Sequence, residues 1–284
     1  MKVGLAQIRP KLGRVDENLR LHQELIRRAT SEQVDLLVFP ELSVTGYQLQ
    51  DLTLDVGRPV TDEHIQTLLR ESEEMDLVFG FVEESEDHIF YNAALYASGG
   101  EVQYLHRKVY LPTYGMFDEG RYFGRGNSIR SFQTRFGRTG ILICEDVWHP
   151  STSYLMAQDG AKVLIVVSNA PVKGVPAADH GNKKVWYDIL TNIAVLHGMY
   201  VVYVNRVGTE DGVSFFGGST VIDPFGWVQD EAPLFEETLL TVDLDLEKVR
   251  RARYQNPVLR DEDLDLTVRE LNRIREKRRG GDSR

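Results

Sequence analysis

An α/β fold, with two β-sheets packed inside helical layers, is what the pattern of this 284-residue chain predicts. Short apolar runs alternate with longer amphipathic segments. The order is not a strict strand–helix alternation, because the runs between 76 and 109 follow one another directly and require antiparallel pairs. No Gly-, Ser- or Pro-rich linker divides the body, so one domain is expected.

Taken in order, the expected strands are 2–8, 35–40, 76–82, 92–97, 101–109, 139–143, 162–168, 199–205, 217–223 and 238–243. Ser98-Gly99-Gly100 suits a hairpin turn. The last two strands also follow in succession, around Asp223-Pro224-Phe225-Gly226. Helices are expected at 16–30, 61–74, 151–159 and 182–197. The first carries Leu19, Leu21, Leu25 and Ile26, with Asp16 or Asn18 as its cap. The fourth carries Val185, Ile189, Ile193 and Leu196 at helical spacing, with Gly198 as its C-cap.

The expected domain spans 1–245, followed by an extension, 246–284. From Lys248 onward 12 basic residues stand against 7 acidic ones, the reverse of the whole chain. Leu264, Val268 and Leu271 share one face of an expected helix near 261–279. Such an arm packs on a partner subunit or on its own body, and 280–284 reads as a frayed end.

A net charge of −10 argues against nucleic acid and anionic membrane as partners, since it repels phosphates. No stretch approaches the roughly 18 apolar residues of a membrane span. A single cysteine rules out an internal disulfide and fits a reducing compartment. Met1 opens directly into the first strand, with no signal-peptide pattern. A cytoplasmic protein is expected. With one Cys, no H-E-x-x-H and no tight His cluster, no metal site is expected. No phosphate-cradling glycine loop is present, and Gly124-Arg125-Gly126-Asn127 reads as a turn.

The chemistry gathers at three strand ends. Ile141-Leu142-Ile143 delivers Cys144, a candidate nucleophile, to the carboxyl end of a buried strand. A thiol attacks as thiolate and needs a base or a cationic neighbour. Glu41, after Val38-Phe39-Pro40, is a candidate base. Lys108, after Leu105-His106-Arg107, is the candidate cation, favouring thiolate and stabilising an oxyanion together with the backbone N–H that follows Cys144. Cys–His chemistry is the rival, with His106 and His149 near these segments, but no His-containing protease signature surrounds Cys144. His149 is expected to shape the site or sit at its rim. Tyr47, Tyr114, Phe117 and Trp148 are candidate pocket walls, of which Tyr114 and Trp148 flank catalytic segments and Tyr47 and Phe117 serve equally well as core.

Phe39-Pro40-Glu41, His106-Arg107-Lys108-Val109-Tyr110-Leu111-Pro112 and Ile143-Cys144-Glu145-Asp146-Val147-Trp148 resemble, in order and separation, the three signatures of the nitrilase superfamily of carbon–nitrogen hydrolases. The resemblance implies a four-layer αββα sandwich that dimerises, and a catalytic triad at Glu41, Lys108 and Cys144. It also implies a supporting glutamate at Glu119. Leu111 to Phe123 and Cys144 to Trp148 look most like the glutaminase domain of glutamine-dependent NAD synthetases, which places Tyr114 and Glu145 at the substrate. Trp148 and Ser168 are assigned with them to substrate binding.

Two departures accompany the resemblance. Neither a synthetase domain nor a nucleotide-binding loop is found in the sequence. In Ser168-Asn169-Ala170-Pro171-Val172-Lys173, Ala170 stands where that subgroup tends to have Ser, and no arginine follows within the loop to clamp a substrate carboxylate, leaving Lys173 there as a point charge in place of a bidentate fork. The expectation is therefore a cysteine-dependent hydrolase of a small-molecule amide, with nitriles ranked second. It needs no cofactor and forms a homodimer or higher homo-oligomer. One alternative is a glutaminase subunit that feeds ammonia to a separate synthetase. Another is a catalytically silent binding or scaffold module, which would have no chemical need for Glu41, Lys108 and Cys144 together.

Overall fold

The computed structural model describes residues 1–172 and 181–281. The strands are β1 (Lys2–Gln7), β2 (Leu36–Val38), β3 (Asp76–Glu84), β4 (Phe90–Ser98), β5 (Glu101–Arg107), β6 (Phe132–Thr134) and β7 (Gly137–Ile143). They continue as β8 (Val163–Ser168), β9 (Tyr200–Asn205), β10 (Val207–Glu210), β11 (Val213–Phe216), β12 (Thr220–Ile222), β13 (Val228–Glu231) and β14 (Thr238–Asp243). The helices are α1 (Val15–Ser31), α2 (Thr53–Val56), α3 (Glu63–Arg70), α4 (Glu119–Tyr122), α5 (Pro150–Gln158), α6 (Gly181–His197), α7 (Glu247–Gln255), α8 (Val258–Asp261) and α9 (Leu264–Gly281). One sheet runs β14-β1-β2-β3-β4-β5 and the other β13-β12-β9-β8-β7-β6, with β10 and β11 as a separate hairpin.

Each sheet has a parallel centre, β1-β2-β3 or β7-β8-β9, with antiparallel strands outside it. Parallel strands are covered on both faces and read as continuous apolar runs. β8, Val-Leu-Ile-Val-Val-Ser, is buried along its whole length. Alternation then sorts the side chains. Val3, Leu5, Leu36, Val38 and Val78 join Ile141, Ile165 and Val202 in one core between the sheets. Ala6, Leu37, Phe39, Leu77 and Phe79 point the other way, onto Ile26 and Ala29 of α1 and Ile65 and Leu68 of α3. Met156 of α5 and Trp186, Leu190 and Ala194 of α6 cover the second sheet. The layers are therefore helix, sheet, sheet, helix, an αββα sandwich. Each buried aliphatic side chain contributes roughly 1.5–3 kcal/mol.

Three local expectations change. Strands 217–223 and 238–243 do not pair with each other. β12 turns through Asp223-Pro224-Phe225-Gly226 into β13, and β14 crosses to pair with β1 in the other sheet. Helix α1 starts at Val15 after Arg14, without a side-chain cap. Asn18 is instead buried inside the helix, bonding both backbone groups of Lys11 and the Val44 carbonyl, so it clamps two loops. The β10–β11 hairpin was not expected, although Asp211-Gly212 at its tip is a strong turn signal and Asp211 and Gly212 both take positive φ, +48° and +78°. Helix 182–197, the Ser98-Gly99-Gly100 hairpin and Gly198 at positive φ after α6 stand as expected.

Past the body, α7 packs Val249 and Ala252 into the core, and Arg253 bonds the carbonyls of Gly198 and Ala161. Helix α9 runs as the apolar spacing predicted but leaves Leu264, Val268 and Leu271 exposed. Among the described residues no helix is long and apolar enough to cross a membrane.

Gly80 of β3 lets the loop after β2 lie against the sheet. Val44 N–H donates to the Gly80 carbonyl at 3.0 Å, and a Cβ on Gly80 would lie 2.3 Å from the Leu42 nitrogen. Gly80→Ala is expected to cost about 1–3 kcal/mol in urea unfolding, as overpacking does, and to displace the loop that carries Glu41.

Candidate active site

β7 ends at Ile143, and the chain turns sharply into a 3₁₀ turn, Cys144–Trp148. Cys144 takes φ +45°, a left-handed conformation that costs a non-glycine residue about 1–3 kcal/mol. The surroundings must hold it there, and Asp146 is the means. Its buried carboxylate accepts from the N–H groups of Ile143, Val109 and Tyr110 and faces His106 Nε2 at 2.8 Å. One side chain thus joins the nucleophile turn of the second sheet to the Lys108 segment of the first.

Lys108 follows β5 and is fully buried. Its Nζ donates to Glu41 Oε1 and to Glu119 Oε1, both at 2.7 Å. Glu41 also accepts from Asn92 Nδ2 at 2.8 Å and, through Oε2, from the Asn169 N–H at 2.8 Å. Asn169 Nδ2 donates to the Glu41 carbonyl at 3.0 Å. Glu119, at the start of α4, also accepts from the Tyr47 hydroxyl at 2.6 Å. Ser168 ends β8 and donates its hydroxyl to Cys144 Sγ at 3.3 Å.

Burial pulls the Lys108 ammonium down, but the charges of Glu119 and Glu41 overcome it and hold the group well above its usual range. Burial raises the Glu119 carboxyl to about 7, with Lys108 opposing, Glu41 adding to the rise and the Tyr47 hydroxyl opposing. Burial and then the Glu41 charge push the Cys144 thiol up, while Lys108 and the Ser168 hydroxyl act the other way. Burial thus favours the neutral thiol at Cys144, with the Lys108 ammonium as the opposing cation.

The structure brings Glu41, Lys108, Glu119, Cys144 and Ser168 into one cluster. Tyr114 is half exposed and donates to Glu145 Oε2 at 2.8 Å. Its ring meets Phe117 edge-on, and Phe117 meets Tyr47 the same way, so the two residues read equally as wall or core form one row. Trp148 packs edge-on against Trp186 and borders an apolar groove between α5, α6 and α9. Of the rival histidines, His106 is engaged by Asp146 and His149 stacks on Tyr110. Lys173 lies outside the described residues. Asn92, Asp146 and Asn169 were not singled out from the sequence. Asp146 had a local signal, since it follows the thiol by two residues in a strand-ending turn. Asn92 and Asn169 gave none, because Asn92 meets Glu41 only once β4 has paired beside β3 and Asn169 meets it only across the seam of the two sheets.

Two outcomes follow from these charges. Asp146→Asn leaves His106 or the backbone donors short of an acceptor and is expected to cost about 3 kcal/mol in urea unfolding. Folded Glu119 keeps its proton to about pH 7, against 4.5 for an ordinary exposed glutamate. The folded state therefore binds the extra proton between those values, and this group's contribution falls as pH rises through that window. The stability of the wild type relative to Glu119→Gln is expected to decline from pH 4.5 to 7, measured by urea melts at each pH.

The carbon-nitrogen hydrolase family model matches residues 2–254. A glutamine-dependent NAD(+) synthetase from Thermotoga maritima is 35% identical over 90% of the chain, which spans 44% of that protein. The chain thus covers less than half of the curated synthetases it matches first. An (R)-stereoselective amidase from Pseudomonas sp is 32% identical over 94% of the chain and 93% of its own length. An amidase from Nesterenkonia sp. AN1, solved as a mutant with the acetamide moiety of fluoroacetamide added to its active-site cysteine, is 25% identical. It covers 95% of the chain and 96% of its own, with a TM-score of 0.81. With that fold, the buried Cys144 and a family match over nearly its whole length, this chain belongs to the carbon-nitrogen hydrolases, as an enzyme of the amidase and nitrilase type.

Proposed function

We propose that the chain hydrolyses a small-molecule amide through a thioester on Cys144. The observation that carries this is the fully buried Lys108 ammonium bridging Glu41 and Glu119 beside a thiol at a strand end. As Sγ attacks the amide carbon, its proton passes to Glu41. Lys108 and the backbone N–H of Glu145 receive the oxyanion. The tetrahedral species collapses as Glu41 returns the proton to the leaving nitrogen, releasing ammonia or an amine. Water then attacks the thioester, giving its proton to Glu41, and the acid leaves as the thiol is restored. Atoms balance as amide plus water to acid plus amine, and no cofactor takes part.

Glu119 holds Lys108 in place. Ser168 holds the sulfur, and Tyr114 and Glu145 meet the substrate at the mouth, where Glu145 offers an acceptor to a cationic substrate group. Trp148 is assigned to the more distant wall.

The match to less than half of the NAD synthetases supports a second reading, in which glutamine is the substrate and the ammonia goes to a synthetase partner. Helix α9 belongs to the proposed extension, 246–284. Leu264, Val268 and Leu271 of α9 line, with Leu155 and Leu196, a groove of about 700 Å³, and a second copy of the chain is proposed to cover it. The cytoplasm is the proposed compartment.

Ammonia release from glutamine, asparagine, aliphatic amides and N-carbamoyl amino acids tests the function. At least one amide is expected to turn over, with Cys144→Ala slower by about 10³-fold or more. Glutamine turnover that rises with an added synthetase selects the second reading. A thiol inert to iodoacetamide at neutral pH, with no amide hydrolysed, returns the silent module.

A further inference from the structure

A buried ion pair behind the site is left unused by this mechanism. Arg206 follows β9 and is 1% exposed. Its Nη1 donates to Glu210 Oε2 at 2.7 Å and its Nη2 to the Pro10 carbonyl at 3.2 Å, and the guanidinium lies 4.4 Å above the Phe215 ring. Glu210, at the end of β10, gives its other oxygen to the backbone N–H groups of Tyr47 and Gln48, at 2.9 and 2.6 Å. An apolar pair of equal volume would fill this space without the desolvation cost of two charges. What the pair does that an apolar pair cannot is hold those two amides.

The backbone it holds leads straight to the cluster. Gly46 takes φ +82°, and a Cβ there would lie 2.8 Å from Leu12 Cα and 3.1 Å from Glu210 Oε2, so the approach of Glu210 requires glycine. The Tyr47 ring stands edge-on to Phe215, the ring that also carries Arg206. The Tyr47 hydroxyl reaches Glu119 Oε1, the oxygen that receives Lys108 Nζ.

We propose that Glu210, held by Arg206, is a positioning residue for the catalytic cluster, fixing the backbone at Tyr47 so that the Tyr47 hydroxyl keeps Glu119 on Lys108. The inference rests on the reading of that cluster as the catalytic centre. The groups that set the Glu119 charge are Lys108, Glu41 and the Tyr47 hydroxyl, and the hydroxyl favours the ionised form.

Cys144 is the chain's only cysteine, so its alkylation by iodoacetamide, followed by intact mass, reads the cluster without any substrate. The wild-type pH profile is expected to show an inflection near neutrality that Glu119→Gln abolishes. Tyr47→Phe moves that inflection up by about one pH unit, because the ionised carboxylate loses a donor. Glu210→Gln moves it the same way, since one amide oxygen cannot serve both Arg206 and the backbone donors. In the double variant the shift is no larger than in Tyr47→Phe alone, the non-additivity of residues acting in series.

An inflection that Glu119→Gln abolishes but folded Glu210→Gln leaves in place overturns the inference alone, as does a fully additive double variant. A wild-type profile without the inflection, or one that Glu119→Gln leaves intact, overturns the reading of the cluster and this inference with it. If Glu210→Gln does not fold, Arg206→Lys replaces it. That change keeps a cation beside the carboxylate but loses the guanidinium's further contacts, and a smaller shift in the same direction is expected. No shift overturns the proposal.

Discussion

An ammonium with no access to water organises this site. Alone at that depth Lys108 would shed its proton. Two carboxylates hold it, and they come from distant segments, the loop after β2 and the start of α4. Bringing them together forces both loops to fold back over the ends of the sheets. One cation and two carboxylates would leave a net negative charge beside the thiol. Glu119, pushed toward neutrality by burial, carries much of that excess as a proton. That proton reduces the negative charge opposing thiolate formation at Cys144.

The polar groups of the site are also the joint between the two sheets. Glu41 and Lys108 belong to the first sheet, Cys144 and Ser168 to the second. Asp146 and Asn169 cross between them with hydrogen bonds of ordinary length. Elsewhere the core between the sheets is mainly aliphatic, with Arg135–Asp76 and Gln7–Ser219 as further polar links. At this end a slip would break charge-assisted bonds, so registry between the sheets is set where the chemistry needs it.

What the sequence revealed and what it hid divide along a physical line. The parallel centres were legible because strands covered on both faces must be apolar throughout, and Glu41 and Cys144 were legible because each follows such a run, whereas Lys108 follows the half-polar edge strand β5 and stood out through the His106–Pro112 motif. Edge strands such as β6 and β13 are short and half polar, so they carry no comparable signature. The pairing of β14 with β1 joins residues more than two hundred apart, and no local pattern encodes it. The same holds for Asn92, Asn169 and the contact of Glu210 with Tyr47, which depend on the fold being already in place. Asn18 misled because a residue suited to cap a helix is equally suited to clamp a loop.

The solitary sulfur has a consequence for oxidative chemistry. A sulfenic acid formed on Cys144 would find no second thiol in this chain to condense with. Recovery would depend on a small external thiol. Further oxidation to the sulfinic acid would end activity permanently. The burial that keeps the resting sulfur protonated also slows the first step, because peroxides attack the thiolate. The desolvation that raises the thiol thus also protects the chain's one sulfur against oxidation.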